Sequence, residues 1–173
     1  MRQAEGAMPD YVSAAKCELA GEVLRSFGSL RFAATGWSML PSLWPGDTLV
    51  VNRIPPDQVD IGDVVLVGRE GRLCAHRVIG MAGDSHNPQL ITQGDALPAP
   101  DRPVAKNELL GKVSYLIRAG KLIAVPAELN GVKRLTANIV RRSVPAARAL
   151  VYLHRMVHVP TKSAPEESLS CPD

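Results

Sequence analysis

Apolar positions change period near residue 30. Over 10–27 (DYVSAAKCELAGEVLRSF), Tyr11, Ala14, Ala15, Leu19, Val23 and Phe27 recur near helical spacing. Charged residues lie opposite, so the segment predicts one amphipathic helix. Gly28 fits its C-terminal stop. Beyond it the apolar runs shorten to strand length: RFAAT (31–35), DTLVVNRI (47–54), DVVLVGR (63–69), RLCAHRVIGM (72–81), QLITQG (89–94), LLGKVSYLI (109–117) and KLIAV (121–125). Gly-Asp pairs at 46–47, 62–63, 83–84 and 94–95 punctuate these runs at irregular gaps, which is turn chemistry and not a repeat. Short strands between Gly-rich turns predict a mainly β fold, a compact sheet or barrel.

After Pro126 the pattern turns helical again. One candidate covers 127–141, and a second about 145–158, with Ser143 as N-cap and Pro145 in its first turn. The final KSAPEESLSCPD reads as a disordered tail. The expected organisation is an N-terminal amphipathic helix (1–30), a β-rich domain (31–125), a basic helical extension (126–160) and a disordered tail (161–173).

Composition refines this picture in three places. Hydrophobic residues make up 46% of the 173 and aromatic ones only 4%, so the core must be aliphatic. Cys17, Cys74 and Cys171 stand far apart, form no metal spacing and cannot all pair, which favours a reducing compartment. The net charge of +3 is unevenly spread: Lys112 to Lys162 holds ten Lys/Arg against one acid, Glu128. Basic residues between 133 and 155 therefore suit an anionic membrane surface or a partner protein; the plainer reading is a solvated helix face. The N-terminus has no uninterrupted apolar stretch, because Asp10, Lys16, Glu18, Glu22 and Arg25 break it. No signal peptide or transmembrane span is read, so a cytoplasmic place or one peripheral to the membrane is expected.

Candidate chemistry centres on TGWSMLPSLWPGDTLVV, residues 35–51. Gly36, Pro41 and Pro45 make a stiff turn around Ser38, and the only tryptophans, Trp37 and Trp44, flank it. Most serines in such turns are simply turn residues. A nucleophilic serine needs a base. His154 and His158 fall on the expected tail helix and His86 in a polar loop, whereas His76 lies inside the run RLCAHRVIG. Alternation puts Cys74, His76 and Val78 on one strand face and Leu73, Ala75, Arg77 and Ile79 on the other. Cys74 and His76 alone make no metal site. An imidazole base also needs an acid to orient it, and Asp84, Asp95 and Asp101 all follow downstream. Spacing does not choose among them.

Taken in order, GWSMLP, GDTLVV, GDVVLV, HRVIG, TQGD and LLGKV resemble the type I signal peptidases and the wider group that includes the self-cleaving SOS-response repressors. The likeness covers about residues 33–118. It implies a signal-peptidase/SOS-repressor-like β peptidase fold, with the serine at the edge of a groove that takes an extended polypeptide with small residues at the cleavage site. The bacterial enzymes and the repressors use a lysine base. His76 followed by Arg77 instead resembles the endoplasmic-reticulum and archaeal kind, which implies Ser38 as nucleophile, His76 as base and Asp101 as the orienting acid. Asp95 matches the Gly-Asp box, a supporting role, and Met39 is expected beside the groove. No metal or organic cofactor is implied.

Three departures qualify that expectation. Signal peptidases commonly carry a serine two residues before the nucleophile, where this chain has Gly36. They are anchored by an N-terminal membrane helix, where this chain has charged residues. The repressors cut themselves at a small-residue–Gly bond, and Ala20-Gly21 is such a pair inside the expected helix. The first 35 residues are too few for a helix-turn-helix domain; of the anionic partners open to the basic tail (phospholipid, nucleic acid or an acidic protein), nucleic acid is not the expected one. The resulting reading is a serine endopeptidase that removes a leader or signal-like segment. The alternatives are a degenerate binding module of the same fold and a self-processing regulator.

Overall fold

The computed structural model describes residues 10–84, 88–127, 137 and 152. The helices expected over 127–141 and 145–158, nearly all of the extension, the 161–173 tail, and His86, His154, His158 and Cys171 fall outside the described residues.

The described residues begin with a helix, α1 (Asp10–Phe27), as the apolar spacing predicts. It stops because Gly28 takes the left-handed conformation (φ +71°), letting its N–H reach the Leu24 carbonyl at 3.1 Å. Seven strands follow: β1 (Ser29–Ala33), β2 (Thr48–Asn52), β3 (Val64–Arg69), β4 (Arg72–Ala82), β5 (Gln89–Gln93), β6 (Leu109–Arg118) and β7 (Lys121–Ala124). Each lies within a residue or two of a run named above.

They form one antiparallel sheet in the order β1-β2-β6-β3-β4-β5, with β7 paired to β6. The path does not close, so the fold is an open sheet and not a barrel, with β1 and β5 at its ends. Where β4 meets β5 the register slips between Val78 and Gly80, leaving Ile79 as an extra residue on β4. Such bulges redirect side chains beside functional sites.

Both faces of the sheet are packed. The near-continuous apolar run of β3 explains this: Val64 and Leu66 join one cluster with Leu24, Met39, Leu43, Leu49, Val51, Val113 and Leu116. Val65 and Val67 join the other with Val59, Val78, Leu90 and Val104. The parity carries over to β4. Leu73 and Ala75 pack against the first cluster, while Val78 belongs to the second. His76 and Arg77 are adjacent in sequence and therefore face opposite sides.

The face of α1 that meets the sheet corrects the sequence reading. Its buried residues are Ala20, Gly21 and Leu24, whereas Leu19 is 62% and Phe27 78% exposed. Close approach to β3 is the reason. A Cβ on Gly68 would come within 2.7 Å of the Cys17 Sγ, so this contact selects small residues over large apolar ones. No helix among the described residues is long and apolar enough to cross a membrane.

Candidate active site

Ser38 stands in the loop joining β1 to β2. The loop's ends are closed by Ala34 N–H to Asp47 O and Gly46 N–H to Ala34 O, both 2.8 Å. Its interior is held from several sides. Trp44 Nε1 donates to the Pro41 carbonyl at 2.9 Å. Asp47 accepts from Trp44 N–H at 2.7 Å and takes a two-pronged contact from Arg118 at 2.8 and 2.7 Å. Met39, Leu40 and Leu43 are buried beneath it. Met39 sits in the core with Leu24 and Leu49. With Met39 and Leu40 fixed in apolar packing, the half-buried Ser38 has little freedom to move.

The loop after β5 meets Ser38 from the other side. Ala96 N–H donates to the Ser38 carbonyl at 2.8 Å. Gly94 lies so close that a Cβ there would be 2.7 Å from that same carbonyl oxygen and 2.9 Å from Leu97 Cγ. The glycine of T-Q-G-D is therefore required by close approach to the serine's backbone.

His76 connects the two loops. Its Nε2 lies 3.0 Å from Ser38 Oγ, and its Nδ1 lies 2.6 Å from Asp101 Oδ2. An ionised carboxylate can only accept, so Nδ1 carries the ring proton and the Nε2 lone pair faces the serine hydroxyl. The imidazole is nearly buried, at 6% exposure, and Asp101 is 26% exposed. Thr92 Oγ1 donates to the same Asp101 oxygen at 2.7 Å, and Asp101 N–H returns to the Thr92 carbonyl at 2.8 Å. Thr92 was not singled out by sequence reasoning. Its position beside Gly94-Asp95 is the only signal that could have marked it.

Asp95 has a different neighbourhood. Its carboxylate takes Arg77 Nε at 2.8 Å, Arg77 Nη2 at 3.0 Å and the Ser42 hydroxyl at 2.6 Å. Arg77 also donates to the carbonyls of Gly62 and Pro126, both at 2.7 Å, and of Ala127 at 3.1 Å. Both charges are buried. Ser42, which joins the pair, was also missed; it resembles any turn serine.

Two hollows adjoin this geometry. A cavity of about 190 Å³ lies behind the imidazole, bounded by Val67, Arg69, Cys74, His76, Thr92 and Asp101. Cys74 keeps part of its surface exposed, but desolvation by its surroundings first, and the Asp101 carboxylate second, push its thiol above its ordinary pKa, which disfavours the reactive thiolate. A wider cleft of about 660 Å³ runs between α1, β1 and the start of β4, lined by Leu19, Val23, Leu30, Phe32, Thr35 and Leu73. Gly36 is exposed, and a Cβ there would meet nothing within 4 Å. The Ala20–Gly21 bond lies in the middle of α1, with Ala20 buried. Among the described residues no cluster of His, Cys, Asp and Glu could hold a metal ion.

The structure is thus an antiparallel β sheet with the Ser38 hydroxyl within hydrogen-bonding distance of His76. Residues 14–151 match the model of the family described as signal peptidase, peptidase S26, and the chain belongs to that family. No curated protein matches the chain.

Proposed function

We propose that the protein is a serine endopeptidase that removes a leader or signal-like segment after small residues. One observation carries this reading: the unbroken hydrogen-bonded line Ser38 Oγ–His76 Nε2–Asp101, at 3.0 and 2.6 Å. In the proposed reaction Ser38 Oγ attacks the scissile carbonyl carbon while His76 Nε2 takes its proton. The tetrahedral intermediate collapses, the C–N bond breaks, and the leaving amine takes the proton from His76. Water then attacks the acyl ester with His76 again as base, and the proton returns to Ser38 Oγ as the acid product leaves. Asp101 holds the imidazole in the required tautomer and offsets its transient charge. The Ser38 backbone N–H serves as oxyanion donor, worth about 3 kcal/mol in a preorganised site.

The apolar cleft supports a polypeptide substrate, since it shares Thr35 with the serine loop. A substrate strand laid there would gain backbone pairing. A catalytically silent binding module of the same fold is the competing reading, favoured by the absence of a hydroxyl at Gly36. Self-processing at Ala20-Gly21 is disfavoured, because a protease needs an extended chain and this bond is helical.

The deciding experiment labels the purified protein with a fluorophosphonate and reads intact mass. One adduct, lost in both Ser38→Ala and His76→Ala, is expected. Equal labelling in either variant would sink the assignment.

A further inference from the structure

Arg69 is the last residue of β3, on the wall of the cavity behind His76. Its guanidinium is largely buried, and all three of its nitrogens are hydrogen-bonded. Nε and Nη2 grip the two oxygens of Glu108 at 2.8 and 2.7 Å. Nη1 donates to the carbonyl of Arg102 at 3.2 Å, and Nη2 to that of Pro103 at 2.8 Å. Those carbonyls belong to the two residues directly after Asp101. The Pro-rich loop carrying Asp101 is thus tied on one side to Thr92 and on the other to Arg69. Glu108 completes the clamp by accepting the Ala105 N–H at 2.9 Å.

We propose that Arg69 is a positioning residue for the reaction: by holding the carbonyls of residues 102 and 103 it sets the Asp101 carboxylate against His76 Nδ1. This rests on the serine-peptidase reading and adds to it a residue that touches neither serine nor histidine. Electrostatics agree with the geometry. Chiefly the Glu108 hydrogen bond, and to a lesser degree the Asp101 carboxylate, hold Arg69 firmly charged. Lysine is not equivalent, since one ammonium cannot span a carboxylate and two carbonyls in one plane.

The test is a double-mutant cycle on fluorophosphonate labelling rate, with Arg69→Met, Asp101→Asn and the pair. Small misplacements of a reacting group cost up to about a hundredfold, so Arg69→Met should label roughly tenfold to a hundredfold more slowly. In the Asp101→Asn background the same change should add nothing, because its effect runs through Asp101. Unchanged labelling, or a full independent loss on top of Asp101→Asn, overturns the proposal. Should Arg69→Met fail to fold, Arg69→Lys takes its place in the same cycle. Should the unaltered protein itself not label, the peptidase reading fails, and the proton resonance of the His76 ring N–H decides about Arg69. Loss or an upfield shift of that resonance in Arg69→Lys supports the clamp, and an unchanged signal refutes it.

Discussion

Two neighbouring side chains of β4 each meet an aspartate from the same loop, and the two pairs do opposite things. Arg77 and Asp95 form a buried, permanently charged pair with every prong occupied. His76 and Asp101 form a pair whose carboxylate is partly exposed and whose imidazole also faces the Ser38 hydroxyl. Alternation along one strand separates them by the thickness of the sheet. An aspartate facing a guanidinium and one facing an imidazole are therefore suited to different work. A guanidinium never gives up its proton, so it can only hold. An imidazole holds and still exchanges.

Asp101→Asn should separate the two pairs most sharply. It keeps the size of the side chain but lets the imidazole adopt the wrong tautomer, and a loss of about 10⁴ in labelling rate is expected, with thermal unfolding almost unmoved. A loss below tenfold would show that Asp101 does not orient His76. Asp95→Ala should do the reverse. It leaves the Arg77 charge buried and uncompensated, costing about 3–5 kcal/mol of stability; an unfolding midpoint equal to that of the unaltered chain would contradict it. Gly94→Ala tests the junction between the pairs. The added methyl would meet the Ser38 carbonyl at 2.7 Å, so overpacking should cost about 1–3 kcal/mol and labelling should fall further than stability does.

Two smaller effects sharpen the picture. Gly36→Ser meets open space. If its hydroxyl reaches the oxyanion, labelling should rise, though by less than the two to three orders of a fully built donor, about tenfold at most. A fall would show that the position needs glycine. The last concerns acid. Hydrogen bonds from Arg69, foremost, hold the Glu108 carboxyl down at about 2, against an ordinary 4.5. Its contribution is therefore present above pH 4.5 and lost as pH falls towards 2. Glu108→Gln should remove that part of the acid sensitivity, about 1 kcal/mol after solvent screening. An identical acid midpoint in the variant would argue against the clamp.

The strands were legible because each carries its own signal, a short apolar run closed by a Gly-bearing turn. The bounds of α1 were legible for the same reason, but its buried face was not. Hydropathy ranks Leu19 and Phe27 above Cys17 and Ala20, yet it is Cys17 that meets Gly68 and Ala20 that is buried. That contest is decided by a distance, which one strand of sequence does not carry. At the site, Ser38, His76 and Asp101 were found through ordered motifs spread over the chain, and the structure joins them by hydrogen bonds. Thr92, Ser42 and Arg69 escaped notice. A strand threonine, a turn serine and a strand-end arginine are each ordinary until their partners, 9 to 53 residues away, are known.

The grip of Arg77 on Pro126 and Ala127 has a mechanical side. These two carbonyls lie just past the last strand, where the chain leaves the sheet. Arg77 is joined by one peptide bond to His76. Tension on the chain beyond residue 127 would therefore be taken up first by this guanidinium, and only afterwards by the ladder between β6 and β7. The point where the chain leaves the sheet is thus anchored one residue away from His76.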